Sequence, residues 1–250
     1  MKEIHDAMVS NIKSFFRMNG FTKAVIGMSG GIDSSVCAAL VSKAIGTKNL
    51  HGLILPEKGI TSKLSIANAE KMCKIIGMKY SIHPINNFLK HFKHLWKENP
   101  LAAINTKARI RMCILYNYAN THSALVIGTS NKSELMLGYG TKWGDMAGDL
   151  EILGELWKTD VIKLGAYLKI PPEILDRQPT AELAEGQTDA QELGATYDIL
   201  DKILQLYEDE YTVDEITRMT GFDRNLVKKT VNRVNVNSHK TTMIPVIKTE

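Results

Sequence analysis

Lys23-Ala24-Val25-Ile26-Gly27-Met28-Ser29-Gly30-Gly31-Ile32-Asp33-Ser34-Ser35 is the stretch from which the fold can be read. Residues 23–28 form a short apolar run of strand length. Val36-Cys37-Ala38-Ala39-Leu40-Val41 then continues as the apolar part of a helix. Between the two lie a glycine pair and three serines. Glycines permit positive φ and carry no Cβ, so successive backbone N–H groups can converge on an oxyanion. A helix starting there adds its unpaired N–H groups and the positive end of its dipole. Ser29, Ser34 and Ser35 supply further donors. The expectation is a phosphate cradle between a strand and a helix.

The string lacks the G-x-x-x-x-G-K-[ST] spacing and the lysine of a Walker loop, and it lacks G-x-G-x-x-G. It carries an acid instead. A carboxylate beside a phosphate is repulsive unless a cation lies between them, so Asp33 points to bound Mg²⁺. The blander reading makes Asp33 the N-cap of a tight strand-to-helix turn.

Outward from this loop, apolar runs at 50–55, 80–83 and 124–128 read as further strands. Helices are expected over 2–18, from the loop to 45, from Thr61 or Ser62 to 76, over 87–96 and over 104–120. Alternation of strands with helices predicts an α/β protein with a doubly wound, mainly parallel, Rossmann-like sheet. Residues 138–154 are glycine-rich and aperiodic and are expected to form a long loop over the site. Residues 176–190 are a second irregular stretch. Helices at 159–168, 193–207, 213–219 and 223–234 make a helical C-terminal part, and residues 1–250 are expected to form one domain.

At 250 residues, 44% hydrophobic and 23% charged, the chain has the composition of an ordinary globular protein. A net charge of +4 suits phosphate-bearing small ligands and is too weak to argue for nucleic acid. The N-terminus shows no signal peptide, and no window reaches the ~20 apolar residues of a membrane span, so a cytoplasmic protein is expected. Cys37, Cys73 and Cys113 lack C-x-x-C spacing and are expected to be buried free thiols.

In a doubly wound sheet, ligands bind beyond the C-terminal strand ends, where Ser29-Gly30-Gly31 and Thr129-Ser130-Asn131 both fall. Thr129 could bond a nucleotide through hydroxyl or backbone. Glu134 lies in the first turn of the next helix, near enough to share a cation with Asp33. Two hard carboxylates plus phosphate oxygens suit Mg²⁺. Taken alone, Glu134 also fits a capping box with Asn131. Lys107 and Arg111 share one helix face, read by default as solvated, while Arg109 points elsewhere. Lys158 opens a helix, where the dipole disfavours a cation; a bound phosphate would explain it. The tryptophans Trp96, Trp143 and Trp157 read as core or loop anchors.

SGGIDSS after a strand resembles the pyrophosphate loop of the N-type ATP pyrophosphatases. The order SGGIDSS, NTKARIRM, GTSNKSELMLGYGTKWGD with Asp149, LWKTDV, PTAEL, EGQTDAQELG and NSHK is similar, over nearly the whole chain, to the ammonia-dependent NAD synthetases. The resemblance implies a homodimer using ATP, deamido-NAD and ammonia. It implies that Gly27, Met28, Ser29, Gly30, Gly31, Ile32, Asp33 and Ser34 hold ATP phosphates. It also implies that Asp33 and Glu134 bind Mg²⁺, that Thr129, Lys158 and Thr180 contact ATP, and that Arg109, Lys142, Asp149, His239 and Lys240 contact deamido-NAD. Asp33, Glu134, Lys158 and Thr180 are the expected catalytic set. Too little chain precedes the first strand for the amidase domain of glutamine-dependent relatives, so free ammonia or a separate partner is expected as nitrogen source. The family's Asn-Pro after the acid matching Asp149 is replaced by Leu150-Glu151-Ile152, and Thr241 stands where an arginine often follows the His-Lys pair. The competing readings are another N-type pyrophosphatase, GMP synthase-like or tRNA-modifying, and a regulatory module that binds ATP without cleaving it.

Overall fold

A computed structural model describes residues 1–92, 95, 99–180, 188–242, 244, 246, 247 and 249. Its centre is a five-stranded sheet in the order β3-β2-β1-β4-β5, with every neighbouring pair parallel. The strands are β1 (Lys23–Gly27), β2 (Leu50–Ile54), β3 (Lys79–Ile82), β4 (Ala124–Gly128) and β5 (Leu150–Glu151). The doubly wound parallel expectation holds.

Side-chain alternation along the strands divides the core. Ala24 and Ile26 of β1, with Leu125 and Ile127 of β4, face one layer, while Val25 and Val126 face the other. The first layer is covered by α1 (Lys2–Met18), α2 (Ile32–Ile45), α3 (Lys63–Ile76) and α7 (Lys158–Tyr167). The second is covered by α4 (Asn86–Phe92) and the long α5 (Pro100–His122). Helix α2 buries Val36, Cys37, Leu40 and Val41 among sheet, α1, α3 and α7, which is why its middle, residues 36–41, is apolar on every side. Burying one such leucine stabilises the fold by about 2 kcal/mol.

The helix ends follow the sequence signals. Ser62 caps α3 by accepting from the Ser65 N–H at 3.1 Å, and Gly77 ends it in the left-handed region. Three expectations change. The 138–154 loop contains β5, whose two residues pair with Ile127 and Gly128 and are too short to show alternation. The helix expected over 193–207 starts only at Tyr197, as α10 (Tyr197–Glu208), while α9 (Asp189–Leu193) begins inside the stretch expected to be irregular and ends at Gly194, with φ +86°. Cys113 is exposed, while Cys37 and Cys73 are buried. Trp96 lies outside the described residues, as do 181–187 of the second irregular stretch.

Beyond β4 come α6 (Lys132–Leu137) and, after α7, the short α8 (Pro172–Leu175). The helical C-terminal part is α10, α11 (Val213–Thr220) and α12 (Arg224–Asn237), joined through Ile203, Ile216, Val227 and Val231. Leu200 and Leu204 of α10 pack with Leu137 of α6, so this helical part rests on the elements that carry the site. No described helix is long and apolar enough to cross a membrane.

Candidate active site

The strand order reverses between β1 and β4, and a cleft of about 300 Å³ opens there at the C-terminal strand ends. From the first loop its walls include Gly27, Met28, Ser29, Gly31, Ile32, Asp33 and Ser34. Thr129, Glu134, Lys158 and Thr180 line it from other elements. Gly30 lies against α3. It has φ +82°, and a Cβ there would lie 2.1 Å from the Ser65 carbonyl oxygen at the start of α3. Only glycine lets the loop run this close to the neighbouring helix.

Helix α2 has Gly31 as its N-cap with no capping side chain, so Asp33 is not the cap that the blander reading made it. Within the loop the hydroxyls bond one another: Ser29 Oγ and Ser34 Oγ are 3.1 Å apart, and Ser35 Oγ donates to the Gly31 carbonyl at 2.8 Å. Asp33, in the first turn, reaches across the switch point to β4's helix instead.

There Asn131 acts as a jig. Its Nδ2 donates to Asp33 Oδ1 at 2.9 Å, and its backbone N–H donates to Glu134 Oε2 at 3.2 Å. Its Oδ1 accepts from the Glu134 N–H at 3.0 Å, closing the capping box that the sequence suggested. One oxygen of each carboxylate is thereby occupied. The other two, Asp33 Oδ2 and Glu134 Oε1, lie 2.5 and 3.3 Å from Lys158 Nζ. The two carboxylates do share a cation, and that cation is Lys158. A phosphate is therefore not needed to explain a lysine at this helix start.

The Lys158 side chain is 3% exposed, against 19% for Asp33 and 18% for Glu134. Burial alone would push the ammonium toward neutrality, but Asp33 and then Glu134 outweigh it and hold its pKa above the ordinary lysine value. Glu134 is raised by its own burial and by Asp33 against the opposing pull of Lys158. The backbone beneath is pinned from α10. Asp201 accepts from Ser133 Oγ at 2.5 Å and from the Thr159 N–H at 2.9 Å, and Ser133 Oγ accepts from the Lys158 N–H at 2.9 Å. Asp189, buried at the start of α9, accepts from the Tyr197 hydroxyl at 3.1 Å and adds negative charge near Lys158.

The donor set fits a hard divalent cation: two carboxylate oxygens, each oriented by a hydrogen bond on its partner oxygen, converge on one point. Among the described residues no group of three or more His, Cys, Asp or Glu side chains is placed to hold a metal. The described residues thus offer two carboxylates, to which a nucleotide and water could add oxygen ligands.

The residues expected for the dinucleotide fall elsewhere. Arg109, exposed on α5, donates from Nε and Nη2 to the Lys142 carbonyl at 3.3 and 3.2 Å. Lys142 Nζ donates to the His239 carbonyl and stands 5.3 Å from the centre of the Trp143 ring. Lys240 Nζ donates to the Gly138 and Gly140 carbonyls at 2.8 and 3.1 Å. These four residues form one cluster joining α5, the 138–143 loop and the turn after α12. Asp149 is separate. It accepts from the Val126 N–H at 2.8 Å and the Tyr116 hydroxyl at 2.9 Å, so it fastens the loop to β4.

The default for Lys107 and Arg111 is corrected. Lys107 Nζ lies 2.7 Å from Glu57 Oε2, with both side chains 13% exposed. Arg111 lines the cleft and donates to the Leu55 carbonyl at 2.9 Å. Helix α5 packs across β1 and β4, and its Lys107 and Arg111 meet the segment just after β2, Leu55 and Glu57, rather than solvent. Asn131 and Asp201 were missed as positioning groups. The first was legible only as a cap, and the second depends on how α10 packs. Trp143 is 54% exposed on its loop, and Trp157 packs against α10's cluster under the Lys132 ammonium.

Comparison with known proteins settles the family. The sequence profile described as NAD synthase matches residues 4–244. The NH(3)-dependent NAD(+) synthetase of Methanocaldococcus jannaschii is 42% identical over 98% of this chain and 96% of its own. This chain belongs to the NAD synthase family. The NH3-dependent NAD synthetase of Campylobacter jejuni, solved with a nitrate ion, superposes with a TM-score of 0.84 at 31% identity over 99% of each chain. An NMN synthetase from Francisella tularensis superposes with a TM-score of 0.87 at 31% identity over 98% of each chain. Family membership supports a carbon–nitrogen ligase that uses ATP, and favours neither the GMP synthase-like nor the tRNA-modifying alternative.

Proposed function

We propose that this NAD synthase family member amidates the nicotinate carboxylate of deamido-NAD, with ATP as activator and ammonia as nitrogen source. The observation that carries the reading is the cleft at the β1/β4 switch point, where a serine–glycine cradle faces two oriented carboxylates and a buried lysine. A carboxylate resists attack by ammonia because oxide would have to leave. Its oxygen attacks the ATP α-phosphorus, pyrophosphate departs, and an acyl adenylate forms. Ammonia then adds to the carbonyl carbon, AMP leaves with the C–O bonding electrons, and a proton goes to solvent. No side-chain nucleophile is required; alignment and charge neutralisation are.

The loop at 29–35 and the start of α2 hold the departing pyrophosphate through backbone N–H and serine donors. Lys158 and Thr180 offset the charge developing on it, and Thr129 positions the nucleotide. Mg²⁺ held by Asp33 and Glu134, when bound, would neutralise phosphate charge and polarise the P–O bond. Arg109, Lys142, Asp149, His239 and Lys240 are assigned to the dinucleotide; four of them already form one cluster, which supports a common ligand. A homodimer acting in the cytoplasm completes the reading.

The test is incubation with ATP, Mg²⁺ and ammonium, with deamido-NAD or nicotinate mononucleotide in parallel. NAD and AMP should appear with deamido-NAD. ADP formation, or AMP formation without the nicotinate substrate, overturns the reaction. The mononucleotide arm is included because of the structural likeness to an NMN synthetase. Preferential amidation of the mononucleotide would keep the chemistry and change the substrate.

A further inference from the structure

We propose that the cation position between Asp33 and Glu134 is filled in turn by two cations: by the Lys158 ammonium before nucleotide binds, and by a divalent metal once the nucleotide phosphates have drawn Lys158 away. This rests on the reading that these two carboxylates are the metal-holding pair.

The geometry points to one position with two claimants. Asn131 engages Asp33 Oδ1 and Glu134 Oε2, which leaves Asp33 Oδ2 and Glu134 Oε1 to converge, and Lys158 Nζ is already there at 2.5 and 3.3 Å. A metal and an ammonium cannot both sit against the same two oxygens. Adding a divalent ion while the ammonium remained would crowd three positive charges onto two carboxylates. Removing the lysine without replacement would strand two largely buried carboxylates, which is costly. Each cation therefore excludes the other, and the protein needs one of them at all times.

Lys158 is built to move while its backbone stays. Its N–H is held by Ser133 Oγ at 2.9 Å, the next N–H by Asp201 at 2.9 Å, and the turn is closed by packing of α10. Beyond that anchor lie four methylenes and an ammonium, a flexible point charge. The side chain borders the same cleft as Gly31, Ser34 and Thr180, so phosphates in the cradle offer the ammonium a new anionic partner within the same cavity. The exchange sets a binding order. Metal enters with the nucleotide and not before it, and the nucleotide-free protein has weak divalent affinity despite holding two oriented carboxylates.

The experiment uses Mn²⁺ as the probe, with free Mn²⁺ read by electron paramagnetic resonance. It is run on the full chain with and without a nucleotide whose α–β bridge is methylene. Wild type, Lys158→Met and Lys158→Gln are measured, with thermal melting to show that each is folded. Without nucleotide, the two uncharged variants should bind Mn²⁺ at least ~10-fold more tightly than wild type, because the competing charge is gone. With nucleotide analogue, wild type should bind Mn²⁺ tightly and Glu134→Gln should lose it. If wild type without nucleotide binds Mn²⁺ as tightly as the variants, or if neither variant gains, Lys158 does not keep the position and the inference is overturned. Should Glu134→Gln still bind Mn²⁺ normally with the analogue present, the metal assignment itself fails, which is a different result from failure of the exchange.

Discussion

The cleft and the surface cluster hold their cations in opposite ways. In the cleft, Lys158 is 3% exposed and faces two carboxylates, each held by Asn131, with Asp201 pinning the backbone beneath. In the cluster, Arg109, Lys142 and Lys240 donate to backbone carbonyls of Lys142, His239, Gly138 and Gly140, and so tie three separate segments together. The first arrangement holds opposed charge in a largely buried place, where electrostatics act more strongly than at the surface. The second ties loop backbone together near the surface, its cations satisfying carbonyl dipoles. Chemistry common to a superfamily suits the former, and selection of a particular substrate suits the latter.

The largest expected effect tests whether the cleft is the chemical centre. Asp33→Ala and Glu134→Ala should each lower kcat by at least ~10²-fold, about 2.7 kcal/mol, at saturating substrates and Mg²⁺. Near-normal turnover in either variant would reduce the cleft to a structural ion cluster and erase the contrast.

A second test concerns Glu151 at the end of β5, which is hydrogen-bonded to Ser130 of the cleft wall and shares a hollow with Trp143 and Lys240. Its Oε2 accepts from the Ser130 N–H at 3.0 Å, while Oε1 is buried without a hydrogen-bond partner. The carboxyl packs so tightly on Gly128 that a Cβ there would lie 2.2 Å from it. Burial pushes its pKa up to about 7. A carboxyl whose folded-state pKa is raised binds more protons folded than unfolded, so its favourable contribution is present below pH ~4.5 and is lost as pH rises to about 7. Glu151→Gln should therefore stabilise the protein by about 2 kcal/mol at pH 7.5 and leave stability at pH 4.5 unchanged, allowing for residual solvent contact. Urea titrations at the two pH values check this; equal gains at both would show that charge is not the cause.

Asn131→Ala should cost about 10-fold in kcat and raise the Mg²⁺ requirement, because it releases one oxygen of each carboxylate. Loss of the cap should also lower stability by ~1 kcal/mol. A lower melting temperature with unchanged kcat and Mg²⁺ dependence would make Asn131 a cap and nothing more.

The sheet and most helices were legible because local signals and tertiary packing agree: apolar runs of strand length, Ser62 and Gly77 at the ends of α3, and a glycine-rich turn after β1. What stayed hidden depends on contacts distant in sequence. Two-residue β5 has no period of its own and exists because Gly128 leaves room for Glu151. The charge on Lys107 and Arg111 looked solvated because a helix face cannot announce that Glu57 and the Leu55 carbonyl lie opposite. Asp33 and Glu134 were legible as a pair from their places after two strand ends and from motif resemblance, but the cation they share, Lys158, follows only from how α7 docks beside α2 and α6.

The weakest expected effect, on Lys142, decides whether the surface cluster is a binding latch or only a brace. Lys142→Ala removes a donor to the His239 carbonyl and a cation beside Trp143, both in exposed surroundings where a single contact contributes little. If the cluster binds the dinucleotide, KM for deamido-NAD should rise about 10-fold, ~1.4 kcal/mol, while KM for ATP and kcat stay put. Lys142 and Lys240 close the same loop from two sides, so the double variant should lose less than the product of the single losses. A shift in ATP affinity with unchanged dinucleotide binding would place Lys142 with the cleft and break the division between the two regions. Full multiplicativity would show two independent contacts, with the latch geometry irrelevant to binding.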